Sequence, residues 1–160
     1  MPQAIYHSPF GPIRISASDK GITEISFVKG ISIDNDTDLI QNQIIKDCTF
    51  QLDEYFSHKR IKFSIPLDPG GTGFQKQVWA ALQNIPFGKV VSYLDIAKAL
   101  EDPNKIRAVG NANGKNPIAI IVPCHRVIGS DGKLVGYVGG LDKKRLLLQF
   151  EGAIGRDLFD

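Results

Sequence analysis

Residues 92–127 read SYLDIAKALEDPNKIRAVGNANGKNPIAIIVPCHRV, and how this stretch divides into elements decides the architecture around its one distinctive cysteine. Ser92-Tyr93-Leu94-Asp95 has the pattern of a capping box, in which the Ser92 hydroxyl and the Asp95 carboxylate satisfy free amide donors. It opens a short helix that runs through Leu100. That helix stops at Glu101-Asp102-Pro103, where Asp102 supplies an N-cap oxygen and Pro103 suits the first position of a new helix. The second helix is expected from about Pro103 toward Gly114. Two short helices on a tight connection make a helix-turn-helix candidate, although any helical hairpin shares the pattern. The second helix carries Lys105, Arg107 and Lys115 beside Ala108, Gly110, Ala112 and Gly114. Side chains this small allow close approach, either of another helix or of a ligand.

The apolar run at 118–122 then predicts a buried extended segment that delivers Pro123-Cys124-His125-Arg126-Val127. Pro123 restrains the backbone before the cysteine, and His125 is a base at the adjacent position. Neighbours on a regular strand point to opposite faces, so the pair needs an irregular turn or a bridging water. A free thiol with a pKa of ~8.5 is mostly protonated at neutral pH, so a base that withdraws its proton raises its reactivity. A third group must orient that base. Glu151, after the apolar Leu147, Leu148 and Phe150, is either a solvated charge at a helix end or the buried partner of an imidazole.

Upstream, Phe74, Val78, Leu82 and Ile85 mark a helix that ends before Pro86-Phe87-Gly88. Residues 66–73, PLDPGGTG, hold two prolines and three glycines and place a boundary near residue 70. In the first half, 13–17 and 22–27 read as strands around Asp19-Lys20-Gly21, a hairpin turn with a glycine available for positive φ. The three- and four-residue spacing over 39–58 predicts an amphipathic helix covering a small sheet. Ile61, Phe63 and Ile65 alternate with Lys62 and Ser64 as a further strand would. The expected architecture is an α/β domain at 1–70, a small antiparallel sheet with a helix, and a mainly α domain at 71–160 that carries the helix-turn-helix.

With 160 residues, 42% hydrophobic and 22% charged, the chain has the material of an ordinary globular protein with a sizeable core. The run at 118–122 is far short of the ~20 residues needed to cross a bilayer. The opening residues lack a basic and apolar leader pattern, so the expected location is the cytoplasm. Residues 1–70 carry seven Lys/Arg against nine Asp/Glu, and 71–160 carry twelve against eight. The second part is therefore mildly basic, compatible with a phosphate-facing surface or with an ordinary solvated face. Cys48 and Cys124, with His7, His58 and His125, form no metal-ligand spacing, and a structural zinc site is not expected. Cys48 sits at helical spacing with Ile44, Ile45, Leu52 and Tyr55, as a buried small hydrophobe does.

The strings IPFGKVVSYLDIAKAL (85–100) and RAVGNANGKNPIAIIVPCHRVIGSDGKLVGYVGGLDKKRLLLQFEG (107–152) closely resemble the O6-alkylguanine-DNA alkyltransferases, also called methylated-DNA–protein-cysteine methyltransferases. The resemblance runs from about Phe74 to Gly152, with a looser likeness in SPFGPIRIS, GITEISF and YFSHKRIKFSIPLD. It implies a ribonuclease-H-like first domain and a single-turnover transfer of the alkyl group from O6-alkylguanine, with O4-alkylthymine as a second substrate. Cys124 is then the acceptor, His125 a base acting through water, Glu151 its orienting carboxylate, and Asn116 the residue holding the turn that bears Cys124. Tyr93 would donate to N3 of the flipped guanine, and the carbonyls of Cys124 and Val127 would receive its amino group. The backbone N–H of Val138, where many relatives carry serine or alanine, would donate to O6, while the branched side chain narrows the pocket. Arg107 would fill the gap left by the flipped base, with Ala108 and Ala112 allowing close approach to the minor groove. The implied partner is double-stranded DNA containing O6-alkylguanine, met by a monomer with no cofactor, no metal, no membrane and no obligate protein partner. Two other classes share some of these features. A thiol-sensing helix-turn-helix regulator would need elements for operator specificity and dimerisation, and a cysteine hydrolase would need a site for hydrolysing its acyl intermediate.

Overall fold

The computed structural model describes residues 2–30, 42–137 and 139–154. The chain divides into two compact units, Met1–Gly70 and Gly71–Asp160.

The first unit is built on strands β1 (Gln3–Ser8), β2 (Gly11–Ala17) and β3 (Ile22–Phe27), joined in that order as an antiparallel sheet. Ile15 pairs with Ile25 and Ile13 with Phe27, so the alternating apolar residues of β2 and β3 share one face. Helix α1 (Gln43–Phe56), capped by the Asn42 side chain, buries Ile45, Cys48, Leu52 and Tyr55, and it packs on β1 and β2. The small-sheet-with-helix architecture expected of this part is the observed one, with β1 added. The Tyr6 hydroxyl ties β1 to α1 by donating to Asp53 at 2.7 Å.

Two local expectations are corrected. No strand forms at 61–65: Ile61 is exposed, and only Leu67 makes an isolated parallel bridge, to Ile22. The backbone there is satisfied differently, with Gln51 accepting from Ser64 N at 2.9 Å and Ile22 N donating to the Pro66 carbonyl at 2.9 Å. That crossing also explains Gly21. Its φ is not positive; instead a Cβ at Gly21 would lie 2.6 Å from Pro66 O, and only glycine leaves room.

The second unit contains α2 (Gly73–Leu82), β4 (Val91–Ser92), α3 (Tyr93–Ala99), α4 (Ile106–Gly114), β5 (Val127–Ile128) and α5 (Leu141–Phe150). Capping boxes open α2 at Thr72 and Gln75 and α3 at Ser92 and Asp95. Asp102 caps a 3-10 turn at Pro103–Lys105 that leads into α4. Helices α3 and α4 are therefore the expected pair, and α2 packs on α4 through Trp79, whose Nε1 donates to Ala112 O at 2.9 Å. The mainly helical character of this unit agrees with expectation.

The run at 118–122 is not extended. Val122 N donates to Ile118 O at 3.1 Å and Ile121 N to Ala119 O at 2.8 Å, and Ile120 sits at φ 72°. A positive φ in a β-branched residue is a genuine outlier costing about 1–3 kcal/mol. The coiled path shortens the approach to Cys124, which opens a 3-10 turn at Cys124–Arg126.

Candidate active site

The two-residue parallel ladder of β4 and β5 pairs Val91 with Val127 and Ser92 with Ile128. It joins the start of α3 to the end of the turn bearing Cys124. Tyr93, the first residue of α3, is brought to that turn as a result. Pro123, φ −82°, precedes the turn, and Val127 N closes it by donating to Cys124 O.

Asn116 braces the segment before it. Its Nδ2 donates to Val122 O at 2.8 Å and Ile118 O at 3.3 Å, and its Oδ1 accepts from Ile118 N at 3.0 Å. These bonds hold the strained path through Ile120 in place. Cys124 is only 4% exposed, and burial pushes its thiol up to about 11, against the opposing pull of Asn116 and the Lys144 ammonium. At rest it is a protonated thiol.

His125 and Glu151 are both buried, with His125 Nε2 2.8 Å from Glu151 Oε2. The solvated-charge reading of Glu151 is thereby excluded. Arg126, unassigned in the sequence reading, grips the same carboxylate from the other side: Nε donates to Oε1 at 2.8 Å and Nη2 to Oε2 at 2.9 Å. Its Nη1 donates to Ile85 O at 2.7 Å. Burial alone would raise the Glu151 carboxyl, but the hydrogen bonds and charges of His125 and Arg126 outweigh it and hold it well below the usual range. Burial lowers His125, and Arg126 and Lys144 lower it further, against the effect of Glu151. The imidazole is therefore neutral at pH 7. With its Nε2–H given to Glu151, its lone pair lies on Nδ1, which has no protein partner among the described residues.

Lys144 is a second residue the sequence reading passed over. It lies fully buried on α5, and its Nζ donates to the carbonyls of Val127 (2.5 Å), Val135 (2.9 Å) and Gly136 (3.3 Å). Burial brings it down to about 8. A signal was present: Lys144, Leu147, Leu148 and Glu151 follow helical spacing, so the charged residues share the stripe of the buried leucines. The Asp-Lys-Lys-Arg run around Lys144 disguises it as a solvated face.

The structure thus gathers Cys124, His125, Glu151, Asn116, Tyr93 and Val127. The Tyr93 hydroxyl donates to Val135 O at 2.9 Å, and burial raises its pKa. Tyr137 and Asn113 join the cluster; the Tyr137 hydroxyl and Asn113 Oδ1 are buried and unpartnered among the described residues. Arg107 and Ala108 lie exposed on α4. Ala112 does not: it is 2% exposed and its carbonyl accepts from Trp79 Nε1, so its assignment to a ligand surface is corrected. Val138 lies outside the described residues. No group of three or more potential metal ligands occurs among the described residues, and none of their helices is long and apolar enough to cross a membrane.

Comparison with known proteins follows the two units. Residues 1–69 match the family profile "6-O-methylguanine DNA methyltransferase, ribonuclease-like domain", and residues 73–153 match "6-O-methylguanine DNA methyltransferase, DNA binding domain". A methylated-DNA–protein-cysteine methyltransferase of Methanosarcina barkeri is 49% identical over 149 residues, covering 92% of this chain and 94% of the relative. One from Mycolicibacterium paratuberculosis is 45% identical, covering 90% of this chain and 88% of the relative. Among solved structures, the Mycobacterium tuberculosis O6-methylguanine methyltransferase superposes with a TM-score of 0.84 at 40% identity, covering 98% of this chain and 96% of that one. A complex of the M. tuberculosis protein with DNA gives 0.83 at 42% identity, covering 94% and 92%.

Proposed function

The chain belongs to the 6-O-methylguanine DNA methyltransferase family, and we propose that it repairs alkylated DNA directly, moving the alkyl group from O6 of guanine onto Sγ of Cys124. The observation that carries this reading is the neutral His125. Its Nε2–H is held by Glu151 at 2.8 Å, and its Nδ1 is left as an unpartnered acceptor on the residue that follows the protonated Cys124 thiol.

In this mechanism the Cys124 proton passes to Nδ1 of His125, directly or through one water, as Sγ attacks the alkyl carbon. The S–C bond forms while the C–O6 bond breaks, and the electron pair of that bond goes to guanine. The base later regains the proton that the thiol lost, so the exchange balances without a cofactor. Glu151 stabilises the imidazolium that forms transiently, and Arg126 keeps that carboxylate ionised and correctly turned. Tyr93, which holds Val135 O in the free protein, transfers its donor to N3 of the leaving guanine, where negative charge develops.

The target atom is buried in a base stack, so the nucleotide must be extruded from double-stranded DNA. Arg107, exposed on α4, fills the space left in the stack, and Ala108 lets the helix lie close to the backbone. The thioether product has no chemical route back, so each molecule acts once, as a monomer, in the cytoplasm. O4-alkylthymine is the secondary substrate.

Intact-mass measurement tests the reading. Incubation with a duplex containing O6-methylguanine is expected to add one methyl group per protein, at Cys124 and without reversal. Cys124→Ser should abolish the gain while DNA binding persists, and Cys48→Ser should leave it intact. Repeated turnover, or a thiol that changes mass only with oxidants, would overturn it.

A further inference from the structure

The first unit takes no part in the mechanism above, yet it carries a local feature that its overall charge conceals. Residues 1–70 hold seven Lys/Arg against nine Asp/Glu, and a body of that sign is repelled by a polyanion. Three of the seven cations, Lys59, Arg60 and Lys62, nevertheless fall within four positions, just beyond the end of α1.

Only one of the three is matched. Arg60 Nε donates to Glu54 Oε1 at 2.9 Å. The other two carboxylates of α1 are held elsewhere, Asp53 by the Tyr6 hydroxyl at 2.7 Å and Asp47 by Gln43 Nε2 at 2.8 Å. Lys59 and Lys62 are exposed, and neither forms an ion pair among the described residues. The field at a helix C-terminus favours a cation at Lys59, but it fades within a turn and does not account for Lys62.

The corner that bears them is fixed in shape. At its start His58 takes φ 60° and Lys59 N donates to Glu54 O at 2.8 Å, which closes the end of α1. Across its middle Arg60 Nη1 donates to Lys62 O at 2.9 Å. At its end Gln51 bonds Ser64 twice, accepting from the backbone N at 2.9 Å and donating to Oγ at 3.1 Å. In this form Ile61, between the lysines, stays 58% exposed. The backbone order of the corner is therefore present before any partner arrives, which lowers the entropy lost on binding. Ammonium groups act on phosphate as point charges and do not need the forked geometry of a guanidinium. Two of them on a rigid corner suit a ligand that repeats its negative charge, and such contacts position a duplex without reading its sequence.

We propose that Lys59 and Lys62 form a second DNA-contact surface, on the first unit, meeting phosphates of the duplex in addition to those met by α4. This rests on the DNA-repair reading and extends it, because the unit that carries none of the reacting groups then shares in holding the substrate. The contacts raise affinity for any sequence and contribute nothing to the choice of lesion.

The salt dependence of binding to an undamaged duplex tests this, since each phosphate contact adds about −0.9 to the slope of log K against log salt. Lys59→Gln/Lys62→Gln is expected to have a slope shallower than wild type by about 1.8, so that a fourfold rise in salt costs it about tenfold less affinity. Lys20→Gln/Lys29→Gln removes the same charge from other exposed positions of the first unit and should keep the wild-type slope. Thermal melts confirm that both variants are folded. Acetylation footprinting of the wild type gives an independent reading: bound duplex should protect Lys59 and Lys62 and leave Lys20 and Lys29 reactive. An unchanged slope in Lys59→Gln/Lys62→Gln, an equal fall in Lys20→Gln/Lys29→Gln, or undiminished acetylation of Lys59 and Lys62 in the complex would each overturn the proposal. A wild-type protein that neither binds the duplex nor gains mass from O6-methylguanine DNA would instead refute the DNA-repair reading itself, and the proposal with it.

Discussion

Glu151 accepts hydrogen bonds from both His125 and Arg126, so its charge is compensated before the reaction starts and His125 need not be protonated to satisfy it. This arrangement makes the base and its carboxylate one unit. General-base groups contribute roughly 10²–10⁴ in rate, and His125→Ala and Glu151→Gln should each slow transfer within that range. The double variant should be little slower than His125→Ala alone, because removing the base leaves the carboxylate nothing to orient. Single-turnover rates of the four proteins decide it, and a double effect equal to the product of the singles would separate the two residues. At this scale the cysteine and its adjacent histidine are legible as chemistry from sequence, because a base beside a thiol is a local pattern. The burial of Glu151 is not, since it depends on Arg126 reaching across 25 positions. Asn113 is still less legible: its burial against Cys124 O depends on a contact 11 positions away.

The elements that were legible from sequence are those with their own start signals. The serine and aspartate caps of α3 and of the turn leading into α4 are local in sequence and local in space. The two extended segments expected at 61–65 and 118–122, one from alternation and one from an apolar run, failed for a shared reason, since apolar patterning says nothing about where backbone hydrogen bonds go. At 61–65 the Gln51 side chain supplies one, and at 118–122 Asn116 supplies three. Helix α4 shows the same division on its own surface. Val109, Ala112 and Asn113 face inward while Arg107 and Ala108 face out, and residue size alone could not sort the alanines. If the outward face is the one that meets DNA, Arg107→Ala should slow repair of duplex O6-methylguanine roughly ten- to hundredfold, matching an unstacking cost of a few kcal/mol. Reaction with free O6-benzylguanine should change by less than about twofold, because no base is extruded in that case. Equal losses on both substrates would place Arg107 in the pocket or the fold.

For the molecule as a whole, the buried titratable groups define a window of stability. His125 titrates at about 6.5 when unfolded and lower when folded, and Glu151 at about 4.3 when unfolded and well below when folded. As pH falls the unfolded chain takes up these protons first, so stability is full above about 6.5 and declines below it. Cys48 and Cys124 have the opposite sign: burial raises them to about 12 and about 11, and stability is lost as pH climbs past the unfolded thiol value of about 8.5. Lys144, brought down to about 8, offsets part of that alkaline loss. Urea midpoints should therefore be highest between about pH 6.5 and 8.5. His125→Asn should flatten the acid side and Cys48→Ser the alkaline side; a midpoint unchanged from pH 5 to 7 would contradict the assignment. The raised, 4% exposed Cys124 thiol also has a meaning in time. Peroxides and disulfides react with thiolates they can reach, and a reagent that can be used only once is wasted by any such encounter. Sealing the sulfur and keeping its proton on gives the idle protein a long shelf life, and reserves its single reaction for the substrate.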